Sequence, residues 1–433
     1  MTDNELPLPP NPWADWMPEP FVLSDQPPLP GMPEPGEGLA MLAPMPRPYS
    51  RLASIPPATF PIAHGCLLGG AVGDALGATV ENLTLGEIRE RYGRRGFRGK
   101  VAAKYSNQPT EFTGRTSEES QLALLMVDAM IRSSVRARER GTGGPTIAIF
   151  QSLCLEWLRS QVDSVAEQDY PPYGALLDLP AIAERRGASR TVLNALWAAA
   201  ERREPRRPLG TTTAPINDSK GSACAVRVAS CGFLPTLRSS FELACDAAAL
   251  THGHPSGWLA AGAFAAIISG LWTGHDLGTA VDRARTELAR HDHHREVSEA
   301  LAQAVRLSGR GEPTAERVES LGAGWTAPEA LAMATYAALS AESGGGTTQQ
   351  IVQRGLRLAV NHSGDSDATG AMCGNLLGAR YGYQGIPEDW AGACEVAGPV
   401  WDLAHDFSIE FGPRPPTDGS GYMDYGWMAR YHS

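Results

Sequence analysis

The chain has 433 residues and a formal net charge of −11, and 42% of its residues are hydrophobic. This apolar content is enough for a sizeable core in one large or two ordinary domains, and the acidic balance argues against a general nucleic-acid binder. The seven cysteines are scattered, odd in number and without C-x-x-C spacing. That usage predicts reduced core thiols and a cytoplasmic location.

Targeting and membrane signals are not found in the pattern of charge and hydropathy. No basic segment followed by an apolar stretch occurs near Met1, so the sequence predicts no secretion signal. The most apolar run, Leu259–Leu271, is too short to cross a bilayer and is expected to be a buried helix. We therefore expect neither a membrane nor a nucleic acid among the partners.

Residues 1–58 differ in composition from the rest of the chain, because they contain 16 of the 34 prolines. Such a segment buries too little apolar surface to order itself, which predicts a largely disordered extension. However, Trp13, Trp16 and Phe21 are unusual in a purely solvating tail. A segment that docks on its own domain or on a protein partner is therefore the alternative interpretation.

From residue 59 to residue 411 the hydrophobic spacing is helical and strand-like alternation is hard to find, which predicts a single all-α domain. Glycines recur every fourth residue from Gly65 to Gly77, a spacing that lets a second helix approach closely. Arg136–Pro145 and Arg203–Leu209 are predicted to be loops. The Gly/Pro-rich tail 412–433 carries aromatic residues and is expected to drape over the domain. Further helices are predicted at Ile147–Ser160, Ser189–Arg202, Leu237–Leu250, Trp258–Leu271, Ala280–His291, Val297–Leu307, Pro328–Ser340 and Thr348–Val360.

Two acidic pairs, Glu118/Glu119 and Asp365/Asp367, stand at the predicted starts of distant helices. Carboxylates from separate helices, together with neighbouring hydroxyls such as that of Ser117, can bind a hard cation such as Mg²⁺. The alternative is helix capping, since Thr116 and Glu119 have the spacing of a capping box. The residues alone leave both interpretations open.

A loop of small residues, Asn217–Cys224, can offer backbone N–H groups to phosphates, with Lys220 nearby. His252 and His254 follow a predicted helix and are candidate ligands, although a plain loop with two hydrogen-bonded imidazoles is the favoured interpretation. The tract His291–His294 resembles a metal-binding sequence but is expected to be a solvated helix end.

Together these stretches resemble the ADP-ribosylglycohydrolase family, which includes dinitrogenase-reductase-activating glycohydrolases. Gly65–Glu81 is similar to the opening motif of the family, and Ser117–Gln121 stands where the family usually has Thr-Asp-Asp-Thr-Gln. Ser219–Arg227 and Thr251–Pro255 are similar to the substrate loop and the Thr-His-x-His-Pro segment. Asn361–Gly370 is similar to the family signature Asn-His-Gly-Gly-Asp-Ser-Asp-Thr-Thr-Gly.

The resemblance implies an all-α fold that hydrolyses the bond between ADP-ribose and a protein side chain, most often arginine. It implies two Mg²⁺ ions, with Mn²⁺ as a substitute, and ADP-ribose or an ADP-ribosylated protein as the partner. The implied metal ligands are Ser117, Glu118, Glu119, Asp365 and Asp367. The implied catalytic carboxylates are Glu81, Glu118 and Asp365. The implied substrate contacts are Lys220, Gly221, Ser222, Ala223, His252, Ser363 and Gly364.

Three departures from the family pattern predict a divergent metal site. Glu118 and Glu119 replace aspartates, and each carries its carboxylate farther out by one C–C bond, roughly 1.5 Å. Ala368 stands where the family supplies a hydroxyl ligand, and Ser363 replaces a glycine. At least one metal position is therefore expected to be weakened or lost. The alternative function is an impaired member that binds ADP-ribose, or an immunity-type interaction protein of the same fold.

Overall fold

We describe residues 59–101, 111–141, 146–162, 176–202, 208–417 and 424–431 of a computed structural model. The predicted extension 1–58 lies outside these residues, as does most of the predicted loop Arg203–Leu209. The described residues form eighteen α-helices and no strand, so the predicted all-α fold is confirmed. The helices are α1 (Phe60–Ala78), α2 (Leu85–Tyr92), α3 (Glu118–Arg140), α4 (Thr146–Gln161), α5 (Pro180–Ala183), α6 (Arg190–Ala200), α7 (Ala223–Val226), α8 (Leu237–Ala249), α9 (Pro255–Trp272), α10 (Leu277–Leu288), α11 (Arg295–Ser308), α12 (Ala315–Glu319), α13 (Ala327–Ser343), α14 (Thr348–Val360), α15 (Ser366–Tyr381), α16 (Glu388–Ala393), α17 (Ala397–Glu410) and α18 (Tyr425–Tyr431).

The two glycine-rich helices α1 and α15 pack antiparallel at backbone contact. A Cβ atom added to Gly69 would lie 2.2 Å from the carbonyl oxygen of Gly374, and one added to Gly73 would lie 2.0 Å from that of Gly370. One turn farther on, a Cβ atom on Gly77 would meet Ser366 at 2.1 Å. The predicted close helix approach is therefore confirmed. It brings the C-terminal end of α1 against the first turn of α15.

Helix α9 forms the apolar centre of the domain. It is long and apolar enough to cross a membrane by composition, but 89% of it is buried inside the protein, as is usual for a core helix. Its burial confirms the predicted buried helix over Leu259–Leu271. All seven cysteines are free and buried, in agreement with their predicted role as core thiols.

The predicted loop Arg136–Pro145 is wrong in its first half, because α3 continues to Arg140. The Arg138 guanidinium forms a two-pronged ion pair with the buried carboxylate of Glu410, with Nε–Oε1 at 2.8 Å and Nη2–Oε2 at 2.7 Å. The Trp427 indole N–H on α18 donates to the same carboxylate at 2.8 Å. These contacts hold the last turn of α3 against α17 and α18, which the local charge pattern does not reveal.

Candidate functional site

The first turn of α3 presents two consecutive carboxylates, Glu118 and Glu119, on buried side chains. Ser117 is the N-cap, and its hydroxyl accepts a hydrogen bond from the Glu119 N–H at 3.1 Å. The predicted capping box that begins at Thr116 is wrong, because the Thr116 N–H and hydroxyl both bond to Glu395, at 2.8 and 3.2 Å. Glu119 is therefore free of a capping bond to the backbone, and Ser117 alone caps the helix.

Asp74 belongs to the site but is not among the residues that the motifs predict. It is fully buried on α1, and its carboxylate accepts from the backbone N–H groups of Ser117 and Ser120, at 3.0 and 3.1 Å. The Ser120 hydroxyl donates to the same carboxylate. Asp74 thus holds the start of α3 in place. Its position inside the glycine repeat, one residue after Gly73, is the signal that could have indicated it.

The second pair of carboxylates stands at the start of α15. Asp365 donates its backbone N–H to the Ala323 carbonyl at 2.9 Å, and its side chain accepts from the Ser222 hydroxyl. Asp367 lies in the first turn, where its carboxylate accepts from the Ala368 N–H at 2.8 Å. Gly364 has φ +131°, and a Cβ atom there would lie 2.1 Å from the Ala323 oxygen, so only glycine fits.

Six carboxylates from three helices and one turn therefore converge. They are Asp74, Glu81, Glu118, Glu119, Asp365 and Asp367. Burial and the nearby Asp367 raise the pKa of Asp74 to about 7 and that of Glu118 to about 8. The pKa of Glu81, in the turn after α1, is raised to about 7 for the same two reasons, with Asp74 adding to it. The raised pKa values of Asp74, Glu81 and Glu118 show that these groups meet other carboxylates in a poorly solvated space.

The pKa of Glu119 is raised well above its usual value by burial, and then by repulsion from Glu118 and Asp367. Its Oε2 atom is buried and has no hydrogen-bond partner. Burial followed by repulsion from Asp367 raises the pKa of Asp365 as well. Across the described segments, no lysine or arginine forms an ion pair with any of the six carboxylates. A buried cluster of this kind needs protons or a cation to compensate its charge.

The donor set fits a hard divalent cation, which prefers carboxylate and hydroxyl oxygens. The unpartnered Glu119 oxygen is the clearest observation in favour of this fit. Within the part of the chain that the structure describes, however, no three His, Cys, Asp or Glu side chains stand close enough to hold an ion. The cluster therefore suits a divalent cation in the chemistry and charge of its donor atoms, but its side chains are not arranged as a formed coordination site.

The hydroxyl of Thr369 does not substitute for the one that is missing at Ala368. It donates to the backbone carbonyls of Ala359 and Asp365, both at 3.0 Å, and also contacts His362 Nε2 at 2.8 Å. Ala368 itself is fully buried on α15. Since α15 begins at Ser366, positions 368 and 369 already point in different directions around the helix.

The predicted substrate loop lies beside the carboxylates. Ser222 reaches Asp365, and Ala223 begins the short helix α7 directly behind it. Lys220 is bound to Glu296 on α11, with Nζ–Oε1 at 2.5 Å, so its ammonium already has an acidic partner. Gly221 pairs with Thr326 in an isolated β-bridge.

His252 packs against this loop with a neutral ring. Its Nδ1 lies 2.8 Å from the Thr251 hydroxyl, and its Nε2 faces Gly221, where an added Cβ atom would approach within 3.0 Å. Burial lowers its pKa to about 3, and the nearby buried Arg227 guanidinium adds to this effect. His254 instead accepts the Ser256 N–H at 3.1 Å as the N-cap of α9. His254 contacts the substrate loop through its backbone N–H, which donates to the Ser219 carbonyl at 3.1 Å, whereas His252 turns its ring toward Gly221.

Two further residues lie at the rim of the carboxylate cluster. The hydroxyl of Ser363, a predicted substrate contact, accepts from the Leu85 N–H at 2.9 Å and donates to Glu319 at 2.6 Å. It ties the aspartate loop to α2 and α12. Trp325 was not predicted at all. Its carbonyl accepts the Ser222 N–H at 3.1 Å, its side chain is 49% exposed, and the adjacent Gly324 packs on Asp365.

Comparison with known proteins shows which family the chain resembles. The family model described as ADP-ribosylglycohydrolase matches residues 56–416. The ADP-ribosyl-[dinitrogen reductase] glycohydrolase of Rhodospirillum rubrum is 25% identical over 337 residues, which cover 76% of this chain and 88% of that protein. A solved structure described as an ADP-ribosylglycohydrolase-related protein complex covers 82% of this chain and 99% of its own, with a TM-score of 0.55 and 23% identity, and so supports the fold. The chain belongs to the ADP-ribosylglycohydrolase family.

Proposed function

We propose that this protein hydrolyses the glycosidic bond between ADP-ribose and a protein side chain, with arginine as the foremost acceptor. The observation that carries the proposal is the convergence of six carboxylates at the starts of α3 and α15, directly beside the loop that contains Ser222. Family membership supports the same reaction class. The free, buried cysteines are consistent with action in a reducing compartment, which we propose to be the cytoplasm.

We further propose that Mg²⁺ or Mn²⁺ assists the reaction. Ser117, Glu118, Glu119, Asp365 and Asp367 would hold one or two ions. A bound ion would supply Lewis-acid polarisation of oxygen atoms and orient substrate hydroxyls. The unpartnered Glu119 oxygen and the absence of ion-paired basic residues around the described cluster support this assignment.

The remaining steps belong to the residues of the chain. Hydrolysis breaks the bond from the anomeric carbon to the guanidine nitrogen and forms a bond to a water oxygen, while the leaving nitrogen takes up a proton. The transition state is oxocarbenium-like, so the negative field of Glu81, Glu118 and Asp365 stabilises the positive charge that develops on the ribose. We propose that Glu118 accepts the proton of the attacking water. We propose that Glu81 lies beside the reacting ribose.

The substrate would lie along the small-residue loop. The Ala223 N–H, at the start of α7, is suited to a phosphate oxygen, whereas the N–H groups of Gly221 and Ser222 already donate to Ser219 and Trp325. The neutral His252 ring offers one further hydrogen-bonding nitrogen near Gly221. The hydrogen bond from Ser222 to Asp365 couples this loop to the carboxylates. Trp325 presents an exposed indole at the same edge and is suited to stacking on a base or sugar.

The test is release of labelled ADP-ribose from an arginine-ADP-ribosylated protein, with EDTA, Mg²⁺ or Mn²⁺ present. We expect metal-dependent release by the native chain and none by Asp367→Asn. Asp282→Asn, on an exposed carboxylate of α10, is the matched control and should behave like the native chain. If no label is released at any metal concentration, the hydrolase proposal is wrong.

The second candidate is a catalytically impaired protein that binds ADP-ribose or a modified partner without turnover. It is favoured by one observation, the buried Ala368 at a position where the side chain offers no oxygen. Calorimetry with ADP-ribose separates the two candidates. Binding without release of label would identify the impaired protein, whereas neither binding nor release would exclude both.

A further inference from the structure

A strongly basic segment stands out in this acidic chain. Residues 89–100, here called the arginine loop, contain six basic residues and only one acidic residue, Glu90, although the whole chain has a net charge of −11. The basic residues are Arg89, Arg91, Arg94, Arg95, Arg98 and Lys100. The segment comprises the end of α2 and the turn that follows it.

Most of these cations point into solvent without an acidic partner. Arg89 pairs with Glu316 at 2.6 Å, and Lys100 stands 3.8 Å from Glu111. Across the described ranges, no ion pair joins Arg91, Arg94, Arg95 or Arg98 to a carboxylate, and all four are exposed. Because these like charges repel one another, the four arginines do not stabilise the loop or the fold.

The backbone of the arginine loop is nevertheless held firmly. Phe97 is buried, and its N–H and carbonyl both bond to the Asn361 side chain, at 2.7 and 3.0 Å. The Trp390 indole donates to the Gly99 carbonyl at 2.6 Å, and Arg357 Nε donates to the Arg98 carbonyl at 3.1 Å. The exposed guanidinium groups are thus carried on a preorganised frame, which lowers the entropy cost of binding.

This frame is part of the rim of the candidate site. Asn361, which grips Phe97, opens the loop that leads to Asp365 four residues later. Ser363 in the same loop accepts the Leu85 N–H, and Leu85 begins the helix whose other end is the arginine loop. Glu81 lies in the turn just before that helix. A protein whose modified side chain entered the site would therefore pass close to the arginine loop.

We propose that the arginine loop is a docking surface for an acidic patch on the ADP-ribosylated target protein. Charge complementarity selects this partner, since four unpaired arginines fit a cluster of aspartates or glutamates beside the modified side chain. A nucleic acid is the weaker fit, because it presents a phosphate about every 1.7 Å along its axis and would also meet the acidic remainder of the chain. The proposal rests on the proposed hydrolase function and adds a preference for acidic surroundings of the modified residue.

The test compares three substrates at low and high salt: free ADP-ribosyl-arginine and two peptides that carry one ADP-ribosylated arginine each. One peptide has glutamates around the modified arginine, and the other has glutamines. We expect kcat/KM for the glutamate peptide to exceed that for the glutamine peptide by about tenfold at low salt, through KM, and the advantage to disappear at high salt. Equal kcat/KM values for the two peptides at low salt would overturn the proposal.

The variant Arg94→Glu/Arg95→Glu/Arg98→Glu should lose this advantage and still cleave free ADP-ribosyl-arginine at the native rate. The matched control is Arg238→Glu/Arg283→Glu/Arg306→Glu, which reverses three exposed arginines on α8, α10 and α11 and should keep the preference. A loss of preference in the control variant as large as that in the loop variant would mean that overall charge explains the effect, and the proposal would fail.

A binding measurement keeps docking separable from catalysis. Fluorescence anisotropy with a labelled, unmodified glutamate peptide should show salt-sensitive binding to the native chain and none to the loop variant. If the native chain does not cleave free ADP-ribosyl-arginine but does bind the glutamate peptide, the proposed hydrolase function is wrong and the docking surface is supported. If a labelled single-stranded DNA binds the native loop more tightly than the glutamate peptide does, the surface belongs to nucleic acid and the proposal is wrong.

Discussion

The Asp74 carboxylate on α1 accepts the backbone N–H of Ser117 at 3.0 Å, and so fixes the N-cap of the helix that carries Glu118 and Glu119. The same α1 packs at backbone contact on α15, which carries Asp367. One helix therefore sets the position of both acidic pairs. The spacing of the carboxylates depends on this packing as much as on the motifs that contain them.

We expect Asp74→Ala to lower the free energy of unfolding by at least about 2 kcal/mol, because it leaves the buried N–H groups of Ser117 and Ser120 without an acceptor. Asp74→Asn keeps one acceptor oxygen and should cost less. Urea unfolding measures both. An Asp74→Ala variant as stable as the native chain would show that water replaces the carboxylate and that Asp74 does not hold α3.

Without divalent metal, the protein should lose stability as the pH rises. The folded-state pKa values of Asp74, Glu81 and Glu118 are raised to about 7, 7 and 8, above the ordinary carboxyl range. The folded state therefore binds more protons than the unfolded state between about pH 4 and pH 8, and stability falls across that window. Melting temperatures in EDTA should be higher at pH 5.5 than at pH 8.5.

Two comparisons make that prediction specific to the cluster. Adding Mg²⁺ at pH 8.5 should restore the melting temperature, since a cation replaces the protons as the compensating charge. The variant Glu118→Gln/Glu119→Gln should show a shallower pH dependence in EDTA. A steep dependence that persists in this variant would place its origin elsewhere in the molecule.

Ala368→Thr should tighten Mg²⁺ binding by about tenfold, or roughly 1.4 kcal/mol, by supplying a hydroxyl beside Asp367. Ala368→Val is the matched control, because it has nearly the same shape without the oxygen atom. Since Ala368 is fully buried, both variants carry the same packing cost. Calorimetric titration with Mg²⁺ checks the prediction, and equal affinities for the two variants would mean that position 368 does not face the ion.

Gly73→Ala should destabilise the fold by about 3 kcal/mol or more, because its Cβ atom would lie 2.0 Å from the Gly370 carbonyl oxygen. Gly398→Ala on α17 is the matched control, since nothing lies within 4 Å of its added Cβ atom. That change should be neutral or stabilise by up to about 1 kcal/mol. Thermal and urea unfolding measure both, and comparable stabilities would contradict the close packing of α1 on α15.

The elements were largely predictable from periodicity, as Thr348–Val360 shows, where the predicted and observed helices coincide. The end of α3 was not, because Arg138 keeps its helical conformation through an ion pair with Glu410, 272 residues away in sequence. The capping box at Thr116 failed for a similar reason. Its N–H and hydroxyl are taken by Glu395, a partner that no local pattern reveals.

The candidate site was predictable as a list of motifs but not as an arrangement. Lys220 lies in a loop of small residues that is suited to phosphate, yet its ammonium forms an ion pair with Glu296. Ser363 lies in the aspartate loop, yet its hydroxyl links α2 to α12. In both cases the fold supplies a hydrogen-bonding partner that is distant in sequence, and local sequence does not predict that partner.

The all-α class, the four-residue glycine repeat and the two acidic pairs can be read from the chain, because they follow from local spacing and composition. Which groups meet depends on how the helices pack. Ser117 and Asp74 are 43 residues apart, and Ser222 and Asp365 are 143 residues apart, so their hydrogen bonds depend on how whole helices pack. The raised pKa values of the carboxylates arise from that same convergence, since burial and mutual repulsion exist only once α1, α3 and α15 are together.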